Sequence, residues 1–260
     1  MTPNDAFAVL RAQAPLVHCI TNYVAMNIAA NVVLAAGASP AMIHAEEEVA
    51  DFAPIAAALT VNIGTLSPPW ARAMEAATRA ARGSAVPWVL DPVAHFATPY
   101  RSQVTQALLK QKPTIVRGNA SEILALSGQG AAGKGVDSGD SVDLARGAAR
   151  QLAMRLGCVV AVTGVRDFVT DGGRHAVITG GSEIMPKVTA LGCALTALIG
   201  AYAATGAPLD ASVAALLHFA EAGERAQIGA DGPGGFATRF LDQLHSLQPG
   251  DLDEGRVSWS

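Results

Sequence analysis

The sequence predicts an α/β protein: a mostly parallel central sheet with helices on both faces, three layers in all. Three observations lead there. Short β-like runs alternate with longer runs of helical periodicity along nearly the whole chain, the pattern of strand–helix–strand units. Half of the 260 residues are apolar and 15% are charged, which fills a sizeable core and lies far from a disordered composition. Gly and Pro mostly stand between the runs and punctuate them. The length suits a single domain spanning 1–260, and no internal repeat is present.

Residues 16–20 read as the first strand, and 22–36 as a helix that Gly37 ends. Residues 40–43 form the next strand. Residues 46–58 read as mostly helix with Pro54 as a break, and 59–63 as a strand closed by Gly64. Residues 68–82 carry Pro in the first turn of a helix. Residues 88–90 form a strand that runs into Asp91-Pro92, followed by a helix over 98–110. A strand at 114–116 leads to a short helix at 120–126. The Gly-rich stretch 127–140 is a loop within the domain. Ser141 caps a helix over 141–156, and 158–162 is a strand closed by Thr163-Gly164. Residues 168–170 and 175–178 pair antiparallel around Asp171-Gly172-Gly173. Three helices follow, over 193–204, 209–228 and 235–247.

Charge and cysteine content remove whole classes of function. The formal net charge is −4 and no basic block occurs, so a nucleic-acid partner is not expected. The first eleven residues hold Asp5 and no long apolar run, unlike a signal peptide. No apolar stretch reaches the length of a membrane span. Cys19, Cys158 and Cys193 are far apart and odd in number, which suits a reduced cytoplasmic setting and no disulfide or zinc framework.

Parallel sheets bind ligands outside the carboxyl ends of their strands. That rule selects Asn22, Met42, Gly64, Asp91, Arg117-Gly118-Asn119, Thr163-Gly164 and the loop before Cys193. Asp91 leaves a buried strand, and a charge there is paired, functional or a turn residue. Asn119 and Glu122 share one face at a helix start. They suit a hydrated Mg²⁺, and equally a capping box. Thr189-Ala190-Leu191-Gly192-Cys193 opens a helix whose free N–H groups and dipole suit a phosphoryl group. At that terminus the Cys193 thiol is expected below its usual ~8.5. The same Cys also reads as a small buried hydrophobe. Glu46-Glu47-Glu48 reads as a solvated run, and neither His18 nor His44 carries a function alone.

Taken together, PLVHCITN (15–22), GASPAM (37–42), NIGTL (62–66), LDPV (90–93), RGNASEI (117–123), KGVD (134–137), VTG (162–164), KVTALGCALTA (187–197) and GPGGF (232–236) resemble the hydroxyethylthiazole kinase family of the ribokinase-like superfamily. The resemblance runs in order from residue 15 to 236. It implies transfer of the ATP γ-phosphate to the alcohol of a thiazole in thiamine salvage. The implied thiazole site is Asn22, Met42 and Ala190, at a boundary between subunits of a homotrimer. Arg117, Thr163 and Gly192 would meet ATP, Asp91 and Glu122 would stand near Mg²⁺, and Cys193 would be the catalytic group. Cys193 replaces the Asp usual in the superfamily, as in the thiazole kinase branch.

The sequence departs from the family at Ala190 and Leu191 and at His95-Phe96. Ala190 is expected to be strained if its backbone needs φ > 0. Leu191 could fill phosphate or thiazole space, Phe96 could narrow the phosphate site, and His95 could add a cation or a hydrogen bond. These leave open a kinase of another hydroxyalkyl heterocycle, or a thiazole and ATP binder weakened in catalysis. A lyase that repairs hydrated nicotinamide cofactors fits less well, because such proteins keep the Asp.

Overall fold

The computed structural model describes residues 1–128 and 140–260. Among the described residues, nine strands form one sheet in the order β2-β1-β3-β4-β5-β6-β7-β8-β9. They are β1 Leu16–Ile20, β2 Ser39–Ala41, β3 Ala58–Asn62, β4 Trp88–Asp91, β5 Ile115–Asn119, β6 Val159–Thr163, β7 Asp167–Thr170, β8 His175–Ile178 and β9 Val257–Trp259. The pairs from β2 to β6 are parallel, and β6 through β9 pair antiparallel. The helices are α1 Pro3–Gln13, α2 Met26–Ala36, α3 Val49–Phe52, α4 Pro68–Gly83, α5 Pro99–Leu109, α6 Ala120–Ser127, α7 Asp140–Leu156, α8 Leu191–Ala203, α9 Pro208–Gln227 and α10 Pro233–Ser246.

Two cores lie on opposite faces of the sheet. One gathers α1, α2, α8, α9 and α10, with Phe7, Tyr202, Phe236 and Phe240 fully buried. The other gathers α3 through α7, with Trp88, Met74 and Leu90 at its centre. This is the expected three-layer α/β/α arrangement. β2 lies to one side of β1 and β3 to the other, so the direction of winding reverses between β1 and β3, where such folds place ligands.

Several elements differ from expectation for local reasons. The helix expected from residue 22 begins at Met26. Asn22 instead folds into a turn whose carbonyl accepts from the Ala25 and Met26 amides, at 3.0 and 3.1 Å. Of the helix expected over 46–58, only Val49–Phe52 forms, because Pro54 cannot donate to a continuing ladder. The Glu46 carboxylate reaches Arg72 at 2.7 and 2.8 Å on the surface. β5 runs three residues further than expected, to Asn119. α1 and β9 were not anticipated. Thr2 and Asp5 make a capping box for α1, and β9 pairs with β8 at the sheet edge. Of the loop expected over 127–140, Ser127 instead ends α6 and Asp140 begins α7, while residues 129–139, with the KGVD stretch at 134–137, and the side chain of Ser141 lie outside the described residues.

Candidate active site

The site is assembled where five parallel strands end. In the sheet register Asn62 stands opposite Asp91, and Asn119 opposite Thr163. Asn22 lies two residues beyond β1. Above these ends comes the N-terminus of α8, which packs on β1, β3 and β4. Gly200 lets it lie flat: a Cβ there would stand 2.3 Å from Thr60 Cγ2. That close approach brings Cys193 and Thr196 down to the strand ends.

Hydrogen bonds join these residues into one chain. Asn22 Nδ2 donates to Cys193 Sγ at 3.3 Å and to Asn62 Oδ1 at 2.8 Å. Asn62 Nδ2 donates to Asp91 Oδ2 at 2.7 Å. The same carboxylate oxygen accepts from Thr196 Oγ1 at 2.7 Å and from Arg117 Nη1 at 3.5 Å. Arg117 Nη2 donates to Thr163 Oγ1 at 2.6 Å. Arg117 also lies under α8, since a Cβ on Gly192 would be 3.1 Å from its Nη2. Among the described residues, buried Asp91 Oδ1 and Arg117 Nε have no hydrogen-bond partner. Such orphaned polar atoms are costly unless a ligand or water meets them.

Glu122 is tied into the neighbouring loop. Its Oε2 accepts from the Asn119 amide at 2.8 Å, while Asn119 Oδ1 accepts from the Glu122 amide at 3.0 Å. The capping box foreseen for this pair is therefore present. Glu122 Oε1 accepts from the Ala94 amide at 3.0 Å and so holds the turn after β4. Gly118 allows this packing, for a Cβ there would be 3.1 Å from Glu122 Oε2.

Burial sets the charge states. Asp91 is fully buried, which pushes its carboxyl up to about 6 against the pull of Arg117. Cys193 is also raised, first by burial and then by the charge of Asp91. This corrects the expectation that the helix terminus would lower it: desolvation outweighs the dipole. Cys193 is thus a neutral thiol at pH 7. Burial also pushes Cys19 up to about 11 and Cys158 up to about 12.

The structure resolves the unusual positions. Ala190 does have a left-handed backbone, φ 63° and ψ 8°, immediately before α8. Leu191 does not fill the site; its side chain is buried in the core beneath α8. Phe96 is 43% exposed and stands edge-on to His95, 5.4 Å between ring centroids. His95 is buried, lies 3.0 Å by Nε2 from the Glu122 carbonyl, and is held neutral by burial. It supplies the hydrogen bond considered for it and not the cation.

Asn22, Asp91, Arg117, Thr163, Gly192 and Cys193 are brought together, with Glu122 one turn away. Met42 comes just after β2, half-buried against the α8 face of the sheet, and Ala190 enters through its backbone. Sequence reasoning missed Asn62, Thr196 and Arg101. Arg101 Nη1 donates to the carbonyls of Ile63 at 2.9 Å and Val93 at 2.8 Å, and its Nη2 to that of Gly64. It thereby clamps the β3 and β4 ends together. The sequence signal for Asn62 was its place at a strand end inside NIGTL. Arg101 and Thr196 lie within ordinary helical runs and gave none.

A buried carboxylate and guanidinium meeting under an open helix N-terminus, with a second carboxylate in the neighbouring loop, suit a polyphosphate and its counter-ion. Among the described residues no group of three or more His, Cys, Asp or Glu could hold a metal by itself, and no helix is long and apolar enough to cross a membrane. The model for the hydroxyethylthiazole kinase family matches residues 7–250. A hydroxyethylthiazole kinase of Roseobacter denitrificans is 63% identical over 252 residues, covering 97% of this chain and 98% of that protein. The solved structure of a hydroxyethylthiazole kinase from Pyrococcus horikoshii superimposes with a TM-score of 0.91 at 37% identity, covering 99% of this chain and 98% of the other. A ribokinase-like superfamily protein of Enterococcus faecalis shares the fold at 11% identity and a TM-score of 0.67, covering 95% and 89%.

Proposed function

The chain belongs to the hydroxyethylthiazole kinase family, kinases that act on a hydroxyl group with ATP as co-substrate, and on that premise we propose how its residues divide the work. The acceptor is the primary alcohol of 4-methyl-5-(2-hydroxyethyl)thiazole, and the product feeds thiamine salvage. The observation that carries the assignment of roles is the meeting of Asp91, Arg117 and the α8 N-terminus on one spot, with Asp91 Oδ1 and Arg117 Nε left for a ligand.

Asn22, Met42 and Ala190 hold the thiazole, with its alcohol toward Cys193. Arg117, Thr163 and Gly192 take the phosphates. The N–H groups of the first residues of α8 have no acceptor within the helix and face the transferring group. Phosphoryl transfer passes through a loose transition state in which little proton abstraction is needed early. Positioning and charge neutralisation then supply most of the acceleration. A neutral Cys193 thiol orients the alcohol rather than deprotonating it, and the alcohol proton leaves late, to an oxygen of the transferred phosphoryl group.

The donor set fits Mg²⁺. Asp91 offers an oxygen without a hydrogen-bond partner, while both Glu122 oxygens already accept backbone N–H bonds, so Asp91 would hold the ion and Glu122 would meet it only through water. Mg²⁺ keeps several waters and needs few protein ligands beside substrate phosphates. When bound with the nucleotide it would neutralise charge on the β- and γ-phosphate oxygens.

The single sheet supports one domain over 1–260. Free cysteines support a cytoplasmic setting. Tyr23 and Val24, exposed beside Asn22 at 63% and 56%, support a homotrimer in which a neighbouring copy closes the thiazole site. Light scattering that gave a monomer would remove that element.

The test of the reaction is incubation with Mg-ATP and 4-methyl-5-(2-hydroxyethyl)thiazole, with the phosphorylated thiazole detected by mass spectrometry. Product that requires Mg²⁺ is expected. A folded, ATP-binding protein that makes none would overturn the acceptor assignment.

A further inference from the structure

We infer that Asn62 is a positioning residue for phosphoryl transfer: it fixes the amide of Asn22 so that Cys193 Sγ always receives an N–H and keeps its own thiol hydrogen for the substrate oxygen. The inference rests on the reading that Cys193 faces the alcohol.

Amide direction here follows from the partners, each of which can play only one part. Gly64 N–H can only donate, and it lies 2.9 Å from Asn62 Oδ1. That places the Asn62 NH₂ on the other side, where Asp91 Oδ2 accepts it at 2.7 Å. Asn62 Oδ1 therefore presents a lone pair to Asn22, which must answer with its NH₂, at 2.8 Å. The Ala25 amide confirms this end, because it donates to Asn22 Oδ1 at 3.0 Å. The second hydrogen of the Asn22 NH₂ then has one place to go, Cys193 Sγ at 3.3 Å. A flipped Asn22 would set its oxygen against Asn62 Oδ1 and leave the Ala25 N–H facing a donor.

The arrangement is buried and tightly packed. Asn22 and Asn62 are 4% and 2% exposed, so water does not readily replace either bond. A Cβ on Gly64 would stand 2.5 Å from Asn22 Nδ2, so that glycine leaves room for the amide and no more. Two fixed backbone donors thus determine which face of the sulfur accepts and which remains free. This requires Asn62 even though it does not reach the alcohol itself.

The test is a double-mutant cycle with Asn62→Ala and Asn22→Ala, read in two ways. Carbamidomethylation of Cys193 by iodoacetamide is followed at fixed pH by peptide mass spectrometry, and kcat and KM for ATP are measured separately. Each single change is expected to slow Cys193 labelling roughly threefold to tenfold, the effect of losing one hydrogen bond. Each should lower kcat while leaving KM for ATP within about twofold, as for an interaction made in the transition state. The double variant should fall well short of the product of the two single losses, because Asn62, which also bonds the thiol itself, acts in part through the Asn22 N–H. Unchanged labelling in Asn62→Ala, or losses that multiply in the double variant, would overturn the inference. If Asn62→Ala fails to fold, Asn62→Ser carries the same cycle, with a hydroxyl to accept from Gly64. Labelling needs no turnover, so a protein without thiazole kinase activity would sink the reaction assignment and still show whether Asn62 acts on Cys193.

Discussion

In the proposed mechanism Cys193 faces the alcohol, yet its surroundings hold it protonated. Burial and Asp91 raise the thiol, and the side-chain bonds from Asn62 and Asn22, with the Arg117 charge, only partly offset them. A group kept neutral and aimed by two amides contributes mostly by orientation. Cys193→Ala is therefore expected to retain about 1% of the parental kcat, the mild end of the range for losing an acid–base group. Loss beyond about 10⁴-fold in a folded protein with unchanged ATP binding would show that the thiol is indispensable. Ala190 carries the other local tension. Its φ of 63° places a Cβ where glycine is preferred, at a cost of about 1 kcal/mol. Ala190→Gly is expected to raise stability by about 0.5–1 kcal/mol in urea unfolding, with little change in turnover. A lower midpoint would show that the alanine methyl packs usefully. At this scale the sequence was informative only where polar residues ended apolar strands. Asp91, Arg117 and Asn22 could be found that way, because their position made them costly without a purpose. Thr196 could not, because one hydroxyl in a helix is ordinary until the fold shows what it faces.

The element that matters most for the site is α8. Its residues from Ala194 to Ala203 are nearly all buried, and Gly200 lets it rest on Thr60 of β3. The approach sets the height of its N-terminus above the strand ends. Gly200→Ala would drive a methyl against Thr60 and lift or tilt the helix. Overpacking of this kind costs about 1–3 kcal/mol. It should also weaken the Thr196–Asp91 bond and the Asn22–Cys193 contact, so kcat should fall more than a surface change of equal destabilisation would cause. Equal Tm losses with full activity would mean that the helix terminus adapts. Most elements were readable because period and punctuation agreed, as in α4, with Pro in its first turn and a polar outer face. The misreadings occurred where tertiary contacts decide. α3 shrank to four residues beside Pro54, and the turn at Asn22 displaced the start of α2. β9 is a strand only because β8 offers an edge: its Val257-Ser258-Trp259 is too short to signal pairing by itself.

Across the whole molecule the layer opposite α3–α7 is tied together by one buried imidazole. His218 on α9 lies 2.9 Å by Nδ1 from Tyr202 Oη on α8, packs on Phe7 of α1, and approaches the end of α10 near Leu244. Arg11 of α1 completes the arrangement, donating to the carbonyls of Leu244, His245 and Leu247 at 3.1, 2.9 and 3.3 Å. Burial, and secondarily the Arg11 charge, depress His218 from 6.5 to about 3. The folded state therefore binds fewer protons than the unfolded chain between those values. The contribution of a neutral His218 is present above about pH 6.5 and is lost as pH falls toward 3. Each pH unit within that window removes about 1.4 kcal/mol, or about 2 kcal/mol from neutral pH to pH 5. His218→Gln keeps a polar partner for Tyr202 and removes the proton. It should be less stable than the parent at pH 8, where the fitted ring is lost, and should lose about 2 kcal/mol less between pH 8 and pH 5 in denaturant unfolding. His18, also buried and lowered, acts equally in both proteins and cancels from the difference. Parallel stability profiles would place the acid sensitivity of the fold elsewhere. A profile flattened by the substitution would show that four helices distant in sequence depend on one ring remaining uncharged, and α8, which sets the height of Cys193, is among them.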